Sequence, residues 1–138
     1  MSRAAIDILT YLLDEAFERS EEHSLLGNLT NVTPEDWLAR PIEGTRTIAE
    51  IVDHAGAAKF AYWDHMFSTG ALSFDGWLGK SPSRQDRGDI DGVQRWLREG
   101  HARFRDAVAS LSDDDLAEPR NAHWRAAAET RWLISVVI

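Results

Sequence analysis

Apolar residues recur at helical spacing in four long stretches of this chain, separated by segments rich in Gly, Pro, Ser and charge. The sharpest pattern covers residues 47–67. At about 100° per residue, Ile48, Ile51, Val52, Ala55, Ala58, Tyr62 and Met66 fall on one side, with Glu50, Asp53 and Asp64 opposite. This predicts an amphipathic helix whose apolar stripe faces the core and whose Asp53 serves only solvation. Thr47 with Glu50 three residues on forms a capping box that marks the helix start. Upstream, Ile6, Leu9, Leu12, Leu13, Ala16 and Phe17 predict a first helix continuing through Leu25 and Leu26, with Gly27 as its C-cap. Between the two, Thr33, Pro34 and Asp36 predict one short capped turn that Pro41 stops.

Residues 70–88 read as a loop with Phe74 and Trp77 as isolated apolar anchors. Its length suits either a functional lid or crossover, or a surface connection that Trp77 tacks down. A third helix is predicted over residues 91–111, with Val93, Trp96, Leu97, Gly100, Phe104, Ala107, Val108 and Leu111 inward and His101 at the boundary or in solvent. Ser112, Asp115, Leu116 and Pro119 then repeat the arrangement of Thr33, Asp36, Trp37 and Pro41. The repetition suggests a pseudo-symmetric four-helix bundle. The fourth helix is predicted within RAAAETRWLISVVI, on Ala126, Thr130, Leu133, Ile134, Val137 and Ile138. It stops on an apolar residue with no closing Gly, Lys or Arg, and is more than about 10 Å shorter than its partner at about 1.5 Å per residue. The expectation is one all-α domain over residues 1–138 whose fourth helix is truncated at its C-terminal end.

With 138 residues and 43% hydrophobic content, a single core is sufficient. The chain has no Cys, which removes disulfides, thiolate zinc sites and a cysteine nucleophile together. A net charge of −8 argues against a nucleic-acid surface. The N-terminus lacks a signal-peptide layout and no apolar run approaches a membrane span, so a soluble cytoplasmic protein is expected.

The residue that offers chemistry is His54, on the flank of the apolar stripe, where it can look into a helix seam as a metal ligand or serve as a satisfied boundary residue. Ala57, Ala58 and Ala61 leave room beside it. His65 points almost the same way, but about 16 Å further along the helix it cannot share an ion with His54. Asp53 is adjacent but solvated, and no general base can be named.

The turn VTPEDWLARP, the segment EGTRTIAEIVDHAGAAKFAYW and the closing ETRWLISVVI together resemble the DinB-like family, which includes YfiT-type hydrolases and thiol S-transferases. The resemblance implies an up-down-down-up bundle with a long crossover between its second and third helices. It also implies a divalent ion, zinc or nickel, held by three His, the first in a context like IVDHA and matched here by His54. The other two, four residues apart on the last helix, have no match, and His123 lies ahead of that helix without a partner. The ion is therefore expected to bind this chain weakly or not at all.

In a complete site the ion would activate water or a low-molecular-weight thiol for hydrolysis or thiol transfer on a small molecule. Ala58, Ala61 and Tyr62 would line the pocket, with Trp77 as its cover. The competing reading is a non-catalytic homodimeric bundle for small-ligand binding or scaffolding.

Overall fold

The computed structural model describes residues 2–138 and is mostly helical, with one small antiparallel hairpin. In chain order the elements are α1 (Ala4–Asp14), a π-helical turn (Glu15–Arg19), α2 (Leu25–Asn28), α3 (Pro34–Leu38), α4 (Ile48–Phe67), α5 (Phe74–Leu78), α6 (Ile90–Ala109), β1 (Pro119–Ala122), β2 (Arg125–Glu129) and α7 (Thr130–Val137). Short 3-10 turns at Pro82–Arg84 and Asp113–Ala117 complete the connections. Among the described residues no helix is long and apolar enough to cross a membrane.

Capping chemistry fixes several boundaries where the sequence places them. The Thr47 hydroxyl accepts from the Glu50 amide at 3.1 Å and the Glu50 carboxylate accepts from the Thr47 amide at 3.1 Å, starting α4. Thr33 and Asp36 make the same reciprocal pair at α3, with Pro34 at the first helical position. Ser112 and Asp115 form the third such box. Trp37 and Leu116, which follow two of these boxes, are both buried.

Three predicted segments come out differently. The first helix does not run unbroken to Gly27: it widens into the π-helical turn, Ser20 turns extended, and the chain restarts at α2, where Ser24 Oγ accepts from the Gly27 amide at 2.9 Å. Gly27 therefore lies inside the first turn of a capped helix and does not close one. The Ala-rich RAAAE, a strong helix former by propensity, is strand β2. It pairs with β1 in the register Pro119↔Glu129 and Arg120↔Ala128. The start of α7 is set later, where Thr130 Oγ1 donates to the Glu118 carbonyl at 2.6 Å. The 70–88 connection is ordered by α5 and a 3-10 turn and fastened onto α4.

That fastening buries the side of α4 predicted to be solvated, while Val52, Tyr62 and Met66 of the predicted stripe are buried as expected. Ala49, Asp53, Gly56, Ala57, Phe60 and Asp64 are buried, whereas Ile51 is 54% exposed. Asp53 is not a solvating residue: its carboxylate accepts from Ser81 Oγ at 2.6 Å and from Ser83 Oγ. Asp64 accepts from the Gly70 and Leu72 amides and from Trp77 Nε1 at 3.2 Å. Because donors from the crossover satisfy both carboxylates, burying them is tolerable.

Helix α6 packs on the same side. A Cβ at Gly56 would collide with Trp96 and Leu97, and one at Gly100 would lie 2.9 Å from the Phe60 ring, so the absent side chains let the two helices approach closely. Residues 56 and 60 meet 96 and 100 in step, so α4 and α6 point the same way. Helix α1 points against α6: the Arg3 guanidinium donates to the carbonyls of Ala109 and Leu111, both at 2.6 Å, while Asp14 meets His101.

Candidate functional site

The stripe predicted as core is, over its middle, the wall of a cleft. Ala55, Ala58 and Tyr62 of α4 face Leu13 of α1, Phe17 of the π-helical turn and Val137 of α7 around a cavity of about 320 Å³. Tyr62 is held by its hydroxyl, which accepts from Trp124 Nε1 at 2.7 Å across the hairpin tip. Ala58 and Tyr62 thus stand together. Ala61 does not join them, being fully buried in the core. Nor does Trp77 cover the cleft: it stacks on Phe60, ring centroids 4.8 Å apart, on the crossover side of α4. An indole that donates to a buried carboxylate and stacks on a core ring fastens the crossover in place.

His54 is exposed, its ring against Phe74 at 4.9 Å between centroids. It lines a wide recess of about 720 Å³ with Arg46, Arg84 and Arg87, on a different face from the apolar cleft. His65 and His123 lie further along the open flank of α4. Their ring centroids are 6.2 Å apart, and His65 Nε2 contacts the Leu72 carbonyl oxygen at 2.8 Å. His123 at the hairpin tip has a buried Nδ1 without a hydrogen-bond partner among the described residues. Burial, with the charges of His65 and His54, pushes its pKa below the usual value. Among the described residues no three His, Asp or Glu side chains converge to hold an ion. The donor set therefore does not fit a three-ligand metal centre.

A polar array unforeseen in the sequence backs the cleft. Lys59, the one charged side chain lining the cleft among the described residues, places Nζ 3.1 Å from His101 Nδ1. His101 Nε2 lies 2.9 Å from Asp14 Oδ1, and Arg105 Nε donates to Asp14 Oδ2 at 3.3 Å. His101 is 6% exposed and stacks on Phe17 with centroids 4.1 Å apart, so it is not the boundary residue its spacing suggests. Burial pulls the Lys59 amine down to about 8, against the opposing attraction of Asp14. Burial and the charge of Lys59 push His101 down as well, while Asp14 and Glu18 oppose them. Burial raises the Asp14 carboxyl, but hydrogen bonds from His101 and Arg105 outweigh it and hold the group below the usual carboxylate range. A carboxylate only accepts, so Nε2 of His101 carries the proton and Nδ1 accepts from Lys59. The signal available in the sequence was slight: Lys59 is one of only two lysines and interrupts the small, apolar run HAGAAKFAYW.

Neither the characterised proteins nor the solved structures that were searched contain a match to this chain. The sequence profile of the DinB superfamily does match, over residues 16–137, which span α4, α6, the hairpin and α7. By that match the chain belongs to the DinB superfamily.

Proposed function

We propose that the chain is an up-down-down-up four-helix bundle that takes a small, largely apolar molecule into the cleft between α1, α4 and α7. The shared direction of α4 and α6 on either side of the long crossover, with α1 opposed, supports the topology. The observation that carries the binding reading is the cleft itself. About 320 Å³ lies at the lower end of the roughly 300–1,000 Å³ of small-molecule pockets, and its walls are apolar with few polar groups. A titration with the apolar fluorophore anilinonaphthalene sulfonate tests it. Saturable one-to-one binding that Ala58→Trp abolishes, with the circular dichroism spectrum retained, is expected. A signal that never saturates counts against the reading.

Superfamily membership favours a second reading, a divalent-metal-dependent enzyme using zinc or nickel for thiol S-transfer or hydrolysis with a low-molecular-weight thiol. His54 is the residue that would contribute to holding the ion. One exposed imidazole falls short of the three protein ligands of an open catalytic site. Metal uptake after incubation with either ion, lost in His54→Ala, supports this reading. Uptake under about a tenth of an equivalent counts against it.

A homodimer belongs to the same proposal. Ile8, Tyr11 and Leu12 expose an apolar strip on the outer side of α1, and such strips mark partner contacts. Sedimentation at low micromolar concentration should give a dimer, and a clean monomer would remove this part.

A further inference from the structure

Lys59 is placed unlike a structural ion-pair lysine. It does not touch Asp14, whose two oxygens go to His101 and Arg105; an imidazole stands between the amine and the carboxylate. Among the described residues its Nζ makes one hydrogen bond, to His101 Nδ1, and otherwise lies 4.8 Å from the centroid of the Phe17 ring at the cleft wall. The neighbouring π-helical turn, a backbone departure common at functional sites, begins directly after Asp14 and carries Phe17 and Glu18. The titratable or charged groups around the amine include Asp14, Glu18 and Arg19 from the first helical segment, with the Arg19 guanidinium 3.9 Å from the Asp14 carboxylate, and His101 and Arg105 from α6. Helix α7 brings Val136 and Val137 to the cleft.

We propose that Lys59 is a carbonyl-capturing amine that binds an apolar aldehyde or ketone in the cleft as a protonated imine, with His101 moving the proton and Asp14 orienting His101. The inference rests on the cleft reading above and narrows it to a substrate class. His101 Nδ1 takes a proton from the ammonium, freeing the nitrogen lone pair. That pair attacks the carbonyl carbon; the carbon–nitrogen bond forms as the π electrons move to oxygen. The oxygen takes the proton back from His101, giving a carbinolamine. With the nitrogen's remaining surplus proton delivered through the same imidazole, the hydroxyl leaves as water and the imine forms. Ammonium plus carbonyl gives protonated imine plus water, with no oxidant or reductant. The apolar walls disfavour water and accommodate the alkyl group.

The other lysine, Lys80, is exposed and serves as a control within the chain. The native protein is treated with hexanal and sodium cyanoborohydride at pH 7.5, which reduces any imine to a stable secondary amine, and the sites are read by peptide mapping. An amine near pKa 8 is neutral about two hundred times more often at that pH than an ordinary lysine. Labelling of Lys59 at least about tenfold faster than Lys80 is therefore expected, with hexanal preferred over the polar glycolaldehyde.

The Lys59→Met variant should lose the fast phase. His101→Asn should slow it and move its pH profile upward, which a merely structural histidine would not do. Equal rates at the two lysines, or no preference for hexanal, overturns the proposal, and this comparison within one chain needs no variant to fold. If hexanal displaces the fluorophore but is not trapped, the amine step fails and the cleft reading stands. If the fluorophore never binds saturably, both fail.

Discussion

One side of α4 is closed by polar chemistry and the other is left partly open by apolar chemistry. On the crossover side, Asp53 and Asp64 are buried, yet the 70–88 connection brings two donors to the first carboxylate and three to the second, and Phe60 lies between Trp77 and Trp96. On the cleft side, Ala55, Ala58 and Tyr62 look into empty volume, and the nearest charged group, Lys59, has a single hydrogen-bonding partner among the described residues. Buried groups that are fully satisfied lock a segment in place, whereas space beside an under-satisfied group can receive a ligand. The two sides should therefore answer differently to mutation: one in stability, the other in binding and pH response.

The largest effect should come from Asp64→Ala. It orphans the Trp77 indole and the Leu72 amide, while the Gly70 amide keeps the Asp64 backbone carbonyl, and a loss of about 3 kcal/mol is expected from the two unmade hydrogen bonds, read as the denaturant midpoint. Fluorophore affinity extrapolated to the folded state should hardly move. Gly56→Ala comes next, at about 2 kcal/mol of destabilisation, because the new methyl group must displace Trp96 and Leu97.

Lys59→Met should act in the opposite direction. The folded-state pKa near 8 lies below that of the unfolded chain, so a burial penalty on the ammonium is present below pH 8 and is relieved as pH rises from 8 towards 10.5. The variant should be more stable at pH 7 by about 1 kcal/mol, discounted from the full shift because the side chain is partly exposed. The rise in wild-type stability between pH 8 and 10.5 should vanish with it, as measured by denaturation at several pH values. The smallest stability change should follow Ala58→Trp, within about 0.5 kcal/mol because the indole enters existing space, although fluorophore binding disappears. A variant on the crossover side that abolished binding without loss of stability would break the contrast.

Much of the fold was legible because its signals are local. Thr47 with Glu50, Thr33 with Asp36, and Ser112 with Asp115 each satisfy amides within three residues of themselves, so the caps they predict are the caps that form. Spacing likewise identified α4 and α6 and brought Ala58 and Tyr62 onto one wall. Periodicity misled where polar residues find remote partners. Asp53 and Asp64 read as a solvated face because their donors lie up to thirty residues downstream, and His101 read as boundary because Asp14 lies 87 residues upstream.

The sequence by itself determined that this is a mostly helical chain with three reciprocal caps, and its composition removed thiolate chemistry; both follow from residue identity and short-range hydrogen bonding. Only the tertiary structure decided that the Asp53 and Asp64 side of α4 is buried as well, that RAAAE pairs as a strand, and that Lys59, His101 and Asp14 form one array beside an apolar cleft. Those outcomes depend on where distant segments return, because a charged group is buried only when a partner arrives to satisfy it.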